Sequence, residues 1–280
     1  MSNKDITAVI TSFKSESKIF NCVKSLGKNL KIIVVENSND KKLKDRLEKD
    51  YSNLTCILSD KNLGYAKGNN LGLTYVKTKF ALIINPDAVV EKETINNFFL
   101  TAKLKPDFAI IGPYIQEHNT DKKKEIKEEV FQVKNVKGFA MFLNLNQFNE
   151  IGFFDENFFI YFEEIDLCKR LTEHNKKIYL DTNIKVNHLG GKSHEETINF
   201  EMEKSRNWHW MWSTFYFYKK HYGYLIALLR ILPKFFSSLF KLIFFKLISN
   251  KEKEDIYHCR FYGILNSILL KKSWYRPKIY

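Results

Sequence analysis

Residues 80–87 read Phe80-Ala81-Leu82-Ile83-Ile84-Asn85-Pro86-Asp87, five apolar positions closed by a polar turn. A short apolar run without polar alternation is the pattern of a strand covered on both faces, and Asn, Pro and Asp are common turn formers that stop one. The form recurs upstream. Ile6-Thr7-Ala8-Val9-Ile10-Thr11-Ser12-Phe13 is a β-branched strand pattern, Lys31 to Val35 runs into Glu36-Asn37-Ser38, and Leu54 to Leu58 ends at Asp60. Between them Lys18 to Leu30, Asp40 to Tyr51 and Gly64 to Val76 read as helices; in the first, Ile19, Val23 and Leu26 fall on one side. Strands alternating with helices predict an α/β fold with a parallel, doubly wound sheet whose ligand sits at the carboxyl ends of the strands. Ser12, Glu36, Asp60 and Asp87 all fall on that rim.

Further along, Val136 to Leu145 and Lys177 to Leu180 read as strands, and the Lys/Glu mixture from His118 to Glu129 as a solvated loop or surface hairpin. With 280 residues and 44% hydrophobic content the chain is long enough for one sizeable core and an appendage. Its charge is uneven: Lys219 to Tyr280 holds thirteen Lys or Arg against three Asp or Glu, a surplus of +10 within a total of +13. Such a tail suits an anionic partner, a nucleic acid or a membrane surface. Cys22, Cys56, Cys168 and Cys259 are scattered without a C-x-x-C pair, the pattern of reduced cytosolic thiols. The opening Met-Ser-Asn-Lys-Asp lacks the apolar core of a signal peptide.

Three stretches carry chemistry. Asn85-Pro86-Asp87 can be a plain turn, yet a carboxylate there also suits a divalent cation bridging two phosphates, because hard cations prefer oxygen. Asn62 to Gly72 sets three glycines at a loop-to-helix junction, where the backbone can approach an anion or simply turn. It matches neither the dinucleotide fingerprint nor a complete phosphate-binding loop. Gly152 to Arg170 runs six aromatics (Phe153, Phe154, Phe158, Phe159, Tyr161, Phe162) into Glu163, Glu164 and Asp166. Acids after an aromatic wall face desolvation and mutual repulsion, which a protein tolerates when they take a proton or hold a metal; a helix N-terminus also accounts for acids there. His188, before Gly190-Gly191 and near His194, is a metal-ligand type that is also common as a plain surface residue.

Taken in order, Ser12, Glu36-Asn37-Ser38, Asn62 to Asn70, Asn85-Pro86-Asp87, Lys137-Gly138-Phe139-Ala140-Met141, Gly152 to Phe159, Glu163-Glu164-Ile165-Asp166-Leu167 and His188-Leu189-Gly190-Gly191 resemble glycosyltransferase family 2, over about residues 6 to 220. The resemblance is strongest to its bacterial rhamnosyltransferase-like branch. It implies the GT-A fold, a Rossmann-like, mostly parallel sheet flanked by helices, in a catalytic domain over 1–220. It implies a base and ribose pocket lined by Ser12, Glu36 and Asp60, within a donor-binding set that adds Asn37, Gly64, Asn69 and Asn85. The family usually has Asp where Glu36 stands. It implies Mg²⁺ or Mn²⁺ held by Asp87 and His188 against the diphosphate of a dTDP- or UDP-linked sugar. Glu164 falls where the family normally carries a catalytic aspartate, with Glu163 and Asp166 beside it to position the site or, for Glu163, to act in its place. A metal-dependent, inverting transfer to a glycan or lipid-linked acceptor in cell-surface polysaccharide synthesis is the activity implied.

The remaining 221–280 is expected to be a helical, basic amphipathic tail. Tyr224 to Ile248 is rich in Leu, Ile and Phe but broken by Arg230, Pro233, Lys234, Lys241 and Lys246, too interrupted for a spanning helix. Arg230, Lys234, Ser237 and Lys241 fall on one helical face, with Phe and Leu opposite. That pattern fits a segment lying in an anionic membrane interface, or a helix packed on the catalytic domain. The protein is accordingly expected in the cytoplasm, peripheral on the inner face of the cell membrane. The rival functions are a nucleic-acid binder through the tail, disfavoured because no nucleic-acid motif accompanies the charge, and a catalytically silent nucleotide-sugar-binding protein marked by Glu164.

Overall fold

The apolar runs form the strands expected of them. In the computed structural model, which describes residues 2–115, 128–188 and 194–279, β1 (Ile6–Ser12), β2 (Lys31–Glu36), β3 (Leu54–Leu58) and β4 (Phe80–Ile84) lie side by side in the order β3-β2-β1-β4, all parallel. The crossovers are α1 (Glu16–Leu26), α2 (Lys41–Asp50) and α3 (Gly64–Thr74). The first buries Ile19, Cys22 and Val23 in one cluster with the strand residues Ala8, Ile10, Val34 and Leu82. The second starts where the Asp40 carboxylate accepts from Leu43 N at 3.0 Å, satisfying a helix N–H that has no partner within the helix. The segment His118 to Lys127 and the Leu189-Gly190-Gly191 motif lie outside the described residues.

Past β4 the sheet becomes mixed. The chain continues through β5 (Ala88–Val90), α4 (Thr94–Leu104), β6 (Phe108–Pro113), β7 (Val130–Val133), β8 (Ala140–Asn144), α5 (Glu163–Glu173), β9 (Lys177–Asp181) and β10 (Val186–His188). The eight-stranded order is β3-β2-β1-β4-β8-β6-β9-β7, while β5 and β10 form a separate two-stranded sheet. The sheet is mostly parallel, as expected, with two exceptions: β8 runs antiparallel between β4 and β6, and β7 runs antiparallel to β9. Packing accounts for the insertion. Phe142 of β8 meets the rings of Phe80, Phe98 and Phe108 at centroid distances of 5.2, 5.1 and 5.5 Å. Each such buried ring contributes roughly 1.5–3 kcal/mol relative to exposure.

The chain divides into two compact units, 1–63, 67–154 and 167–195 forming the first and 64–66, 155–166 and 196–280 the second. The division differs from a tail starting at 221, because helix α6 (Asn199–Tyr222) joins α7 (Tyr224–Leu247) and α8 (Lys251–Ile268). Its aromatic side explains why. Met211 and Phe215 are buried with Ala227, Ile231 and Ile264, and Trp208 and Trp212 with Cys259. All four cysteines of the chain are buried.

Of the expected basic stripe on α7, Arg230, Ser237 and Lys241 are exposed and Lys234 is half-buried. Arg230 lies over the Tyr218 ring at 4.8 Å and Lys241 over Tyr257 at 5.2 Å. Long basic side chains lay their stems and charges along neighbouring rings of the bundle. An apolar face is outward as well: Leu225, Leu229, Phe236, Phe240 and Leu247 are between 61% and 79% exposed. Their spacing follows one side of the helix. Among the described residues no helix is long and apolar enough to cross a membrane.

Close approach of α8 to α6 rests on Gly263, where an added Cβ would stand 2.4 Å from the Trp208 carbonyl oxygen. Backbone cannot yield as a side chain end can, so Gly263→Ala is expected to destabilise the second unit by roughly 1–3 kcal/mol. Thermal unfolding followed by tryptophan fluorescence checks this; an unchanged melting temperature would show that the helices separate freely.

Candidate active site

In the first unit, the strand ends gather polar side chains as the sequence predicts, with different duties. Glu36 is fully buried, and its carboxylate accepts from Ser38 N and Oγ and from Asp40 N, the last at 2.7 Å. With its acceptor positions taken, it orders the loop after β2 and leaves no exposed oxygen for a nucleoside. Asn37 is held by Ser59, whose hydroxyl donates to Asn37 Oδ1 at 2.9 Å and also lies 3.1 Å from the Glu36 carbonyl. Asn69 is buried and accepts from Thr11 Oγ1 at 3.0 Å. Ser12 is buried with its hydroxyl making no hydrogen bond, whereas Asp60 is exposed just past β3.

Asp87 and His188 are brought together by β5 and β10, whose antiparallel register sets His188 opposite Ala88. His188 Nε2 stands 3.4 Å from Asp87 Oδ1 and 3.4 Å from Asn85 Nδ2. The imidazole is stacked on Phe139 at 4.6 Å, which fixes its plane. Asp87 is 3% exposed, and neither carboxylate oxygen makes a hydrogen bond. A buried carboxylate without donors is costly, and an oxygen-seeking cation relieves that cost. No group of three or more His, Cys, Asp and Glu gathers among the described residues. The orphaned carboxylate of Asp87 and the imidazole of His188 would suit a divalent cation such as Mg²⁺ or Mn²⁺, with its other ligands coming from outside the protein.

In the second unit, the aromatic run mostly packs inward. Phe158 sets its ring edge to face with Tyr216 at 4.9 Å, and Phe159 is stacked on His209 at 4.5 Å, with the Arg276 guanidinium 3.8 Å from its ring centroid. Gly64, with φ 77°, lies under Phe159, whose carbonyl accepts from Tyr65 N at 2.7 Å; an added Cβ would come 2.3 Å from that oxygen. Gly64 is thus a close-approach glycine. Tyr161 and Phe162 both have φ 71°, a left-handed conformation costly for side chains this large. Both rings rest on Trp210, at 5.2 and 5.4 Å. The strained pair delivers the chain into α5 with Glu163 and Asp166 buried and Glu164 partly so. Glu163 Oε2 and Glu164 Oε2 make no hydrogen bond. Asp166 is tied instead to Lys220 Nζ at 2.7 Å and His221 Nε2 at 2.8 Å.

The model of glycosyl transferase family 2 matches residues 7–168. The chain belongs to this family. The match covers more than half of the chain, from β1 into the first turns of α5. A hexosyltransferase of low-salt glycan biosynthesis, Agl10 of Haloferax volcanii, is 27% identical over 198 residues, covering 62% of this chain and 64% of that protein. The chain thus spans under two thirds of that relative's length. The dTDP-rhamnosyl transferase RfbF of Shigella flexneri is 25% identical over 68% of this chain and 71% of its own. The rhamnosyltransferase WbbL of Escherichia coli is 25% identical over 63% and 78%. Among solved structures, a mannosyltransferase from Pyrobaculum calidifontis in complex with GDP-Man and Mn²⁺ superposes with a TM-score of 0.60 at 10% identity, over 96% of this chain and 88% of that one. At that identity the likeness shows the GT-A type of fold alone.

For a family 2 glycosyltransferase the informative electrostatics sit on the Glu163–Glu164 pair. Burial, and then the charge of Glu164, hold the Glu163 carboxyl well above the usual carboxylate range. Burial also raises Glu164, but its own N–H and that of Ile165 pull it back. Burial thus weighs more heavily on Glu163, while first-turn N–H groups favour the charged form of Glu164. Sequence reasoning missed Lys220 and His221, which hold Asp166, and Ser59, which holds Asn37. Lys220-His221 follows the aromatic helix as an ordinary basic helix end, and nothing in its spacing points back to residue 166.

A carboxyl raised in the folded state favours folding fully below its unfolded value, near 4.3, and loses that contribution as pH rises through the folded value. Wild-type stability is therefore expected to decline from about pH 4 upward by a slope that Glu163→Gln removes. Melting temperatures of both proteins between pH 4 and 9 test this; parallel curves would mean that Glu163 is ionised and solvated.

Proposed function

We propose that the chain is a metal-dependent, inverting glycosyltransferase. It moves a hexose, rhamnose foremost, from a dTDP- or UDP-linked donor to a glycan or lipid-linked acceptor in cell-surface polysaccharide synthesis. The observation that carries the reading is the buried Asp87 carboxylate, without hydrogen-bond donors and beside His188. Family membership supports it, and so does the naming of two relatives as rhamnosyl transferases and of a structural neighbour's complex with a nucleotide sugar and Mn²⁺. A divalent cation held by Asp87 and His188 would offset charge on the departing diphosphate.

The chain's own residues do the rest. Glu164 takes the proton of the acceptor hydroxyl, whose oxygen bonds to the anomeric carbon as the bond to the diphosphate breaks; in-line attack inverts that carbon. Glu163 stays protonated next to it, so that a single negative charge sits on the pair. Asp166, held by Lys220 and His221, fixes the first turn of α5. Ser12, Asn37, Asp60, Gly64, Asn69 and Asn85 serve the donor side, with Glu36 acting through the loop it orders.

Glu164→Gln keeps the shape and removes the basicity, so turnover is expected to fall about 10²- to 10⁴-fold with donor binding little changed. Asp87→Ala is expected to abolish Mn²⁺-dependent donor binding in calorimetry, and His188→Ala to weaken it. A wild-type Asp87→Ala titration would remove the metal assignment, and absent donor hydrolysis by the wild type with Mn²⁺ would favour the silent protein.

The protein is further proposed to sit on the cytoplasmic face of the membrane through the apolar face of α7, with Lys246, Lys271 and Lys272 supplying attraction to anionic headgroups. Leu229, Phe236 and Phe240 changed together to Gln are expected to abolish sedimentation with anionic vesicles. Changing Arg230 and Lys241, which lie over tyrosine rings, is expected to matter less. Equal sedimentation of the apolar triple variant and wild type would rule this face out.

A further inference from the structure

We propose that a pocket of the second unit, lined by Tyr161, Arg206, Asn207, Trp210 and Arg260, binds the diphosphate of a lipid-linked sugar acceptor. This rests on the glycosyltransferase reading and gives its acceptor a place and a chemistry.

The pocket has a volume of about 400 Å³ and is open to solvent, within the range of sites for small ligands. Two of its walls come from different helices, Arg206 and Asn207 from α6 and Arg260 from α8. Arg260 donates from Nη1 to Asn207 Oδ1 at 3.3 Å, yet its buried Nε makes no hydrogen bond. A buried guanidinium N–H without an acceptor is a costly arrangement, and a phosphate oxygen is the acceptor its planar fork fits best. The surroundings add positive charge. Burial lowers Lys234, and the charge of Arg260 lowers it further, so the two cations stand near one another. Glu203 is the single carboxylate of the lining, against two arginines. An anion settles such a cluster.

The aromatic lining suits the sugar. Trp210 is 43% exposed and stands nearly perpendicular to the Tyr161 ring at 5.2 Å, so aromatic surface is open to a sugar. Tyr161 also joins the pocket to the proposed base. Burial pushes its hydroxyl up to about 12, Arg206 opposes the shift, and Glu163 and Glu164 add to it, so the phenol stands within reach of all three charges. The left-handed backbone at Tyr161 and Phe162 holds this ring where it touches Trp210 while α5 begins one residue later. A sugar stacked there with its diphosphate on the arginines has its hydroxyls toward the carboxylates. A lipid source follows from the packing of α7 on α8: the Phe235 ring meets that of Phe261, next to Arg260, at 5.1 Å, and α7 carries the exposed apolar face.

The test titrates the full chain by calorimetry in EDTA, which silences metal-dependent donor binding. The probes are farnesyl diphosphate, farnesol and inorganic pyrophosphate. Farnesyl diphosphate is expected to bind, and Arg206→Gln with Arg260→Gln to weaken it about tenfold or more. The two Arg→Lys variants, which keep the charge but lose the fork, are expected to fall between, and they keep the test open if the Gln pair folds poorly. Farnesol is expected to bind at least about tenfold more weakly than its diphosphate. Equal binding of farnesyl diphosphate by wild type and all variants overturns the site. Pyrophosphate binding as tightly as farnesyl diphosphate, with the same arginine dependence, overturns the lipid-linked source. A separate donor titration of the wild type with Mn²⁺ reports on the glycosyltransferase reading, so the failure of one is distinguishable from the failure of the other.

Discussion

Pro86 has no N–H to give, and the chemistry of the first unit depends on that. A strand with neighbours on both edges, as β4 has in β1 and β8, cannot continue through a proline, so β4 stops at Ile84 and the chain turns. Asn85 N donates to the Phe139 carbonyl and Ala88 N to that of Asn85, which closes the turn. Turning leaves Asp87 buried at the strand end and starts β5 in a new direction. That short strand is the edge on which β10 pairs, and pairing delivers His188 to a residue 103 positions away, Asn85, as well as to Asp87. A buried carboxylate without hydrogen bonds, its imidazole neighbour and the ring beneath it all follow from one missing donor.

The second unit solves a different problem. Two adjacent glutamates are withdrawn from water with few partners, an arrangement that is unstable when both are ionised. The protein separates them by environment instead of neutralising them with a cation. Glu164 receives N–H groups at the start of α5, Glu163 faces burial, and the nearby Lys220 and His221 are held by Asp166. The result is an unequal pair, with burial weighing more on Glu163 and helix N–H groups favouring charge on Glu164.

Much of the first unit was legible because its strands are short apolar runs ended by turn residues: Ile6–Ser12, Lys31–Glu36 and Phe80–Ile84 carry their burial in their composition. Direction was not legible. Ala140–Asn144 looks like any other buried strand, and its antiparallel insertion is decided by the Phe142 rings it must reach, a long-range matter. The three-residue β5 and β10 are too short to have a period. Of the site, Asp87, His188 and the Glu163–Glu164 pair were visible from motif order, while the duty of Glu36 was not, since a buried loop-ordering carboxylate and a ligand-binding one have the same letter. For α7 the helical period was legible, and Arg230, Ser237 and Lys241 of the expected stripe are exposed, but the contacts of Arg230 and Lys241 with the tyrosines of α6 and α8 are long-range and were not.

The burial of every cysteine has a use beyond packing. Cys22, Cys56 and Cys168 belong to the first unit and Cys259 to the second. Burial pushes the Cys56 thiol up to about 12, and raises Cys22 and Cys259 as well, so little reactive thiolate is available to an alkylating reagent while the chain is folded. Alkylation then becomes a clock for opening. Peptide mapping of the label separates Cys259 from the other three, so the native chain carries built-in reporters that show which unit breathes first.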